Sequence, residues 1–149
     1  MSRVLLTFAF VLGMFCVARP AAALLPEPYV GIGAAGARYG SELGVAFTAE
    51  AGVDDIISSL GVGLRVELPS FDPILLAELR YSIIKLPFVR LLAGLHGGVE
   101  HTTKDWNGAL GAFVGGRVSL GVPYLAATVG VSSAGEIHPY ATVTLGVSF

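Results

Sequence analysis

Strict alternation of apolar and other residues is the feature that most constrains this chain. In residues 42–53 (ELGVAFTAEAGV) every odd position is Leu, Val, Phe or Ala, and the even positions hold Glu, Gly, Ala and Thr. Successive side chains of a β-strand point to opposite faces of its sheet, so this period of two predicts a strand with one apolar face. The alternation recurs in residues 60–68, 75–83, 89–100, 110–120, 125–131 and 140–149.

Eight strands are predicted when residues 29–38 (YVGIGAAGAR) are added as the first. Its faces cannot be assigned, because Gly and Ala occupy both parities. Only residues 54–59 (DDIISS) have the composition of a helical turn. The sequence therefore predicts one all-β domain of antiparallel strands. Turn-forming residues separate the strands at residues 39–41, 54–59, 69–73, 85–87, 102–108, 121–123 and 132–139.

In the seven predicted strands whose faces can be assigned, the charges are confined to one parity, except for Lys85 at a strand end. This segregation is required if the apolar face meets lipid, because an arginine at the bilayer midplane costs ~2–4 kcal/mol. A soluble barrel or a sandwich would show the same alternation, so the segregation alone leaves these alternatives open. The nine charged residues are Glu42, Glu50, Arg65, Glu67, Glu78, Arg80, Arg90, Glu100 and Arg117.

Three further observations favour a membrane barrel. The charged face carries mainly glycine between its Arg and Glu residues, whereas a solvated face would carry Lys, Thr, Gln and Asn; the chain has two lysines and one asparagine. The apolar face is uniformly Leu, Val and Ala, without the size variation of a packed core. Strands of about 10 residues, when tilted, span the ~25 Å apolar band of an outer membrane.

The first 23 residues have the organisation of a secretory signal peptide. Arg3 provides the positive charge, residues 4–17 are apolar, and small residues end at Ala23, the predicted cleavage site. Residues 24–149 then form the barrel domain. The single cysteine, Cys16, lies in the signal, so no disulfide is expected in the exported domain. The few basic residues beyond Ala23 argue against nucleic-acid binding.

The last predicted strand, residues 140–149 (YATVTLGVSF), resembles the C-terminal strand of bacterial outer-membrane barrels, in which apolar alternation ends in an aromatic residue. The whole pattern looks like the small barrels of the OmpA/OmpX type. The resemblance implies an eight-stranded up-and-down transmembrane barrel in contact with outer-membrane lipid, and recognition by the barrel-assembly machinery; we expect a monomer. The residues implied as the assembly signal are Tyr140, Val143, Leu145, Val147 and Phe149.

The interior of an eight-stranded barrel is just wide enough for its own side chains. We therefore expect the nine charges to form a paired network that plugs the lumen, in a protein with a structural, envelope-integrity or interaction role. An ion or proton path through the network is the alternative. Short connections argue against adhesion through long loops. Five aromatic residues near predicted strand ends agree with interfacial girdles, and equally with ordinary aromatics that flank turns: Tyr29, Tyr39, Trp106, Tyr124 and Tyr140.

Two other functions remain open: a lipid-modifying barrel enzyme, and a soluble barrel that binds an apolar ligand. The candidate residues of an enzyme are His96, Glu100, His101, Ser132, Ser133 and His138. Glu100 and His101 form the most suggestive pair, since an acid can orient an imidazole that activates a hydroxyl. No nucleophile lies in a recognisable motif, so no catalytic, cofactor or metal residue is assigned. Gly31, Gly33 and Gly36 match a dinucleotide motif in letters, but no helix follows them.

The assignment of faces can be tested by substitution. With lipid outside, Leu64→Arg should prevent assembly, and Gly63→Ser is expected to be tolerated.

Overall fold

The computed structural model describes residues 25–39, 42–69, 73–101, 105–134 and 136–149. Residues 1–23, the predicted signal peptide, lie outside the described residues. Among the residues described, no helix is long and apolar enough to cross a membrane. The chain forms eight strands: β1 (Glu27–Tyr39), β2 (Glu42–Ile57), β3 (Leu60–Leu68), β4 (Ile74–Lys85), β5 (Val89–His101), β6 (Trp106–Ser119), β7 (Pro123–Ala134) and β8 (Glu136–Ser148).

The strands close into an antiparallel barrel in which each pairs with its sequence neighbours. The barrel closes where β1 pairs with β8, for example at Gly33 and Thr144. Because the strand number is even, Glu27 and Phe149 lie at the same end, which we call the terminal end. The β1–β2, β3–β4, β5–β6 and β7–β8 connections lie at the other, distal end. The predicted eight-stranded antiparallel up-and-down barrel is confirmed.

Alternation of burial along each strand separates an outward from an inward face. In β3, Leu64 is 65% exposed and its neighbour Arg65 only 2%. The structure also assigns the faces of β1, which the sequence left open: Tyr29 and Ala35 point inward, and Val30 and Ile32 point outward. Among the described side chains, the outward face is mainly apolar along all eight strands, and the inward face carries most of the charged and polar residues.

The predicted helical turn at residues 54–59 is wrong, because β2 continues to Ile57. The β2–β3 register shifts between Val53 and Ile57, and Asp55 has a φ of 59°. Such a bulge re-aims side chains, and here the two successive residues Asp54 and Asp55 are both buried. The backbone irregularity therefore delivers two carboxylates to the same end of the lumen.

Residues 132–139, predicted as a turn, are mostly strand. Ala134 and Glu136 are cross-strand partners, so β7 and β8 remain paired almost to their connection. Turn-forming composition here did not end the strands, because the antiparallel partner satisfies their backbone hydrogen bonds.

Candidate functional site in the barrel lumen

A buried ion-pair cluster fills the middle of the lumen. Arg80 Nη2 donates to Glu50 Oε2 at 2.7 Å, and its Nε donates to Glu78 Oε2 at 2.8 Å. The other oxygen of Glu50 accepts from Tyr124 Oη at 2.9 Å and from Thr144 Oγ1 at 3.0 Å. Buried charges are expensive unless they are paired and hydrogen bonded. Here four strands, β2, β4, β7 and β8, supply the partners and are cross-linked through the interior.

The ion pairs continue toward the distal end through Arg65. Its guanidinium lies 3.3 Å from Glu78 Oε1 and 3.2 Å from Glu67 Oε1. Arg65 also covers the ring of Tyr140, with 4.8 Å between Cζ and the ring centroid. Glu78 thus bridges the two arginines Arg65 and Arg80, so the network is continuous over this part of the barrel.

A second ion-pair cluster closes the terminal end. Asp54 Oδ2 accepts from Arg117 at 2.6 Å and from Arg90 at 3.1 Å. Arg90 also donates to Glu27 at 2.8 Å and to Asp55 at 3.1 Å. Three acids therefore converge on Arg90 at this end.

Sequence reasoning missed four members of this cluster: Glu27, Asp54, Asp55 and Lys85. The last of these reaches Asp55 at 2.6 Å from the end of β4. Two of them could have been found from the alternation of the strands. Asp54 lies four residues after the inward Glu50 in β2, and Glu27 lies two residues before the inward Tyr29 in β1, so both fall on inward positions.

Stacked tyrosines and arginines join the terminal cluster to the middle of the lumen. Tyr29 lies between Arg80 and Arg117, with 4.5 and 4.6 Å from their Cζ atoms to its ring centroid. Arg117 also covers Tyr124 at 4.4 Å. The girdle prediction is wrong for Tyr29, Tyr124 and Tyr140, which are all buried inside, where their rings face desolvated guanidinium groups. Trp106 is 56% exposed on the outer face, and the Tyr39 side chain is outside the described part.

The inward glycines leave room for these large side chains. A Cβ at Gly63 would collide with the Tyr29 hydroxyl, and one at Gly94 with the Phe113 ring. Since Tyr29 is held between two arginines, it cannot move away freely. The structure therefore argues against tolerance of Gly63→Ser, since this inward glycine is part of the packing rather than free space.

The structure places most of the nine predicted charges in the lumen. Arg90 is partly buried, Glu100 lines a small distal cavity, and the side chain of Glu42 is outside the described part. The others are buried within the barrel: Glu50, Arg65, Glu67, Glu78, Arg80 and Arg117.

Among the candidate enzyme residues, the structure brings His96 and Ser132 together. Their Nε2 and Oγ atoms are 3.2 Å apart, and His96 Nδ1 lies 3.3 Å from Tyr140 Oη. Ser132, Arg65 and His138 line a cavity of about 20 Å³. Such a volume holds about one water molecule, so the contact offers no space for a substrate.

The pair Glu100 and His101 does not form the expected catalytic arrangement. Neighbouring residues of a strand point to opposite faces: Glu100 lines the lumen, whereas the His101 ring packs edge-on against Trp106, with 4.9 Å between centroids. Ser133 is likewise on the outward parity of β7. In the described ranges no three His, Cys, Asp or Glu residues are grouped to hold a metal ion.

Comparison with solved structures identifies the architecture. The attachment invasion locus protein Ail of Yersinia pestis, solved in complex with the heparin analogue sucrose octasulfate, superposes with a TM-score of 0.60. The match covers 83% of this chain and 99% of Ail at 14% identity. The chain has the fold of the small eight-stranded outer-membrane barrels. A second structure of Ail gives a TM-score of 0.51, also at 14% identity, with 83% of this chain and 98% of that one covered.

Neisserial surface protein A, NspA, shares this small-barrel fold. It superposes with a TM-score of 0.58 at 12% identity, covering 83% of this chain and 95% of NspA. The sequence matches none of the protein-family models and none of the curated proteins compared with it. The predicted resemblance to small outer-membrane barrels is confirmed at the level of fold.

Proposed function

We propose that the protein resides in a bacterial outer membrane, after export by a signal peptide of residues 1–23, and serves there as a closed barrel with a structural or interaction role. The observation that carries this proposal is the set of two buried ion-pair clusters, joined by stacked tyrosines and arginines, that extends through the lumen from Glu27 at the terminal end to Glu67 near the distal end. Side chains held in this way are expected to fill the interior of a narrow barrel.

The outer wall supports the membrane location. Large apolar side chains stay exposed around the barrel, among them Leu64, Leu95 and Leu145 at 58–65%. An exposed apolar surface of this extent is far larger than the patches of soluble monomers. Lys85 is the last residue of β4, at the terminal end. Its Nζ donates to the Ser58 carbonyl and forms an ion pair with Asp55. Its charge is thereby withdrawn from the apolar belt.

The residues of the lumen favour an interior filled by side chains over the alternative functions, an apolar-ligand binder and an enzyme. A binder of apolar ligands would need an apolar interior, whereas this interior contains buried arginines and glutamates. An enzyme using His96 and Ser132 would need a substrate cavity, and the cavity beside them has room for about one water. The remaining role is one in which the outer wall or the ends of the barrel make the functional contacts.

Fractionation and conductance test this proposal together. We expect the protein to require detergent for extraction, to migrate differently on gels before and after heating, and to give no steady conductance in planar bilayers, because the paired side chains block the lumen. Residence in the aqueous fraction without detergent would contradict the membrane location. A steady ohmic conductance from the folded barrel would contradict the plug.

Charge at the distal end predicts which partners this end can bind. The sequence of the distal connections and adjoining strand ends contains more acidic than basic residues. An excess of acidic charge at this end would repel a polyanion at physiological salt. Ail was solved with a heparin analogue, whereas we propose that this chain contacts basic or cation-bridged partners instead. The charged residues concerned are Glu42, Asp72, Asp105 and Glu136 against Arg38 and Lys104.

Binding to immobilised heparin checks this charge argument. The folded protein in detergent is expected to pass through without retention at physiological salt. A variant with Asp72→Lys, Asp105→Lys and Glu136→Lys should be retained and should elute as salt is raised, since it reverses three acidic charges. Salt-sensitive retention of the unmodified protein would contradict the prediction, because it would show that the acidic residues of the distal end do not prevent heparin binding.

A further inference from the structure

An apolar groove indents the outer wall where β6, β7, β8 and β1 lie side by side. Its volume is about 860 Å³. Two rows of cross-strand partners form its outward lining. The first row is Gly36, Ala141, Val129 and Val114, and the second is Pro139, Val131 and Ala112.

The groove exists because small residues coincide on adjacent strands. Gly36, Ala112 and Ala141 carry at most one side-chain carbon each. Next to these small residues on the outward faces lie two large ones. Leu110, two residues before Ala112 in β6, is 69% exposed, and Ile137, two residues before Pro139 in β8, is 79% exposed. The outer wall of a closed barrel is otherwise convex, so the missing side-chain volume produces a concave surface with raised neighbours toward the distal end.

Chemistry and position restrict what can occupy the groove. Apart from Tyr140, whose ring is buried on the lumen side beside Arg65, the lining residues carry no titratable side chain, so the occupant has to be apolar. The groove is continuous with the exposed apolar belt, and Gly36 places it in the distal half of β1. Its volume is within the ~300–1,000 Å³ of typical ligand pockets. The surroundings that supply an apolar occupant at this depth are the hydrocarbon chains of the membrane.

A second copy of the chain fits the groove less well. Two-fold association places the same surface of each subunit face to face, so two concave surfaces would enclose a void. Stable interfaces need close packing at their centre. A flexible hydrocarbon chain can follow the groove without such a void.

We propose that this groove binds one acyl chain of a membrane lipid in the leaflet at the distal end. The inference rests on the proposed membrane location. A chain held in the groove contacts the barrel over more of its surface than a lipid on the convex wall does. It should therefore exchange more slowly than the surrounding lipid, because more dispersion contacts must be broken for it to leave.

Native mass spectrometry of the refolded barrel tests the proposal. The protein is refolded into dimyristoylphosphatidylcholine vesicles, extracted in detergent and analysed for retained lipid. The unmodified barrel should retain one lipid per molecule. The double variant Ala112→Phe and Ala141→Phe fills the groove with side-chain atoms, and lipid retention should fall at least about fivefold, equivalent to ~1 kcal/mol of binding free energy.

Ala77→Phe provides the matched control, since Ala77 is exposed on the outward face of β4, away from the groove. It should retain lipid like the unmodified barrel. Folding of every variant is checked by heat-dependent gel mobility. Equal retention by the double variant, or no retained lipid on any folded barrel, would overturn the groove proposal alone. Dimers that the double variant abolishes would also overturn it, by identifying a second copy as the occupant. Failure of the unmodified protein to enter vesicles would instead refute the membrane location.

Discussion

Leu64→Arg is expected to prevent insertion of the barrel into a membrane. Leu64 lies at the centre of β3 and is 65% exposed on the outer face. An arginine near the bilayer midplane costs ~2–4 kcal/mol, which is a large part of the ~5–15 kcal/mol that stabilises a typical domain. The fraction of protein that shows heat-dependent gel mobility after refolding into vesicles measures the effect.

Two substitutions test whether failed insertion is due to a charge near the bilayer midplane rather than to another effect of the substitution. Leu64→Phe keeps an apolar side chain at the same position and should assemble normally. Leu86→Arg introduces the same charge at a terminal-end turn, where Leu86 is 61% exposed. Because the cost near an interface falls to ~0–1 kcal/mol, this variant should also assemble. If all three variants assembled equally, the outer wall would not be facing lipid. Gly63→Ser is unsuitable as an inward control, since Gly63 packs against Tyr29.

Glu50→Ala is expected to destabilise the folded barrel by ~3–5 kcal/mol, the usual effect of removing one partner from a buried charge cluster. Glu50 is 6% exposed and accepts hydrogen bonds from Arg80, Tyr124 and Thr144. Its removal leaves two hydroxyls without that acceptor and Arg80 with Glu78 as its remaining partner. Urea unfolding of the vesicle-inserted barrel, followed by tryptophan fluorescence, measures the change.

Two further variants test whether the lower stability comes from the lost ion pair or from any substitution of a charged residue in the lumen. Glu50→Leu combined with Arg80→Met replaces the pair by apolar side chains, and should recover part of the stability lost in Glu50→Ala. Glu27→Gln alters the more exposed terminal end, where Arg90 keeps Asp54 and Asp55 as partners. It should cost less than ~1 kcal/mol. An unfolding midpoint unchanged by Glu50→Ala would show that the lumen network adds nothing to stability.

The faces of seven of the eight strands were predictable because parity is a property of each strand alone; those of β1 were not, since Gly and Ala occupy both of its parities. Neither the pairing register nor the closure of the barrel has to be known to place Leu64 and Arg65 on opposite sides. The same rule would have placed Asp54 among the inward charges, but residues 54–59 were assigned to a turn, whereas β2 continues through a bulge to Ile57. Parity is thus a reliable guide as long as the backbone stays regular.

Contacts across the lumen could not be predicted, because they depend on strand tilt and register. His96 and Ser132 meet although they are 36 positions apart and on strands that are not neighbours. The inward tyrosines were misplaced for a related reason. A tyrosine near a strand end is common at membrane interfaces, and only the three-dimensional position of Arg80 and Arg117 shows that Tyr29 is needed inside.

The fit between inward glycines and aromatic rings limits how this interior can change during evolution. A larger residue at Gly63 becomes acceptable only after Tyr29 has become smaller. At Gly94 and Gly111 an added Cβ would also meet a backbone carbonyl oxygen, of Leu79 and Val131 respectively, so a smaller Phe113 or His96 would not be enough. Each first step either creates a clash or leaves a cavity. The lumen is therefore expected to drift through compensated pairs of substitutions, whereas the outer wall can exchange one aliphatic residue for another singly.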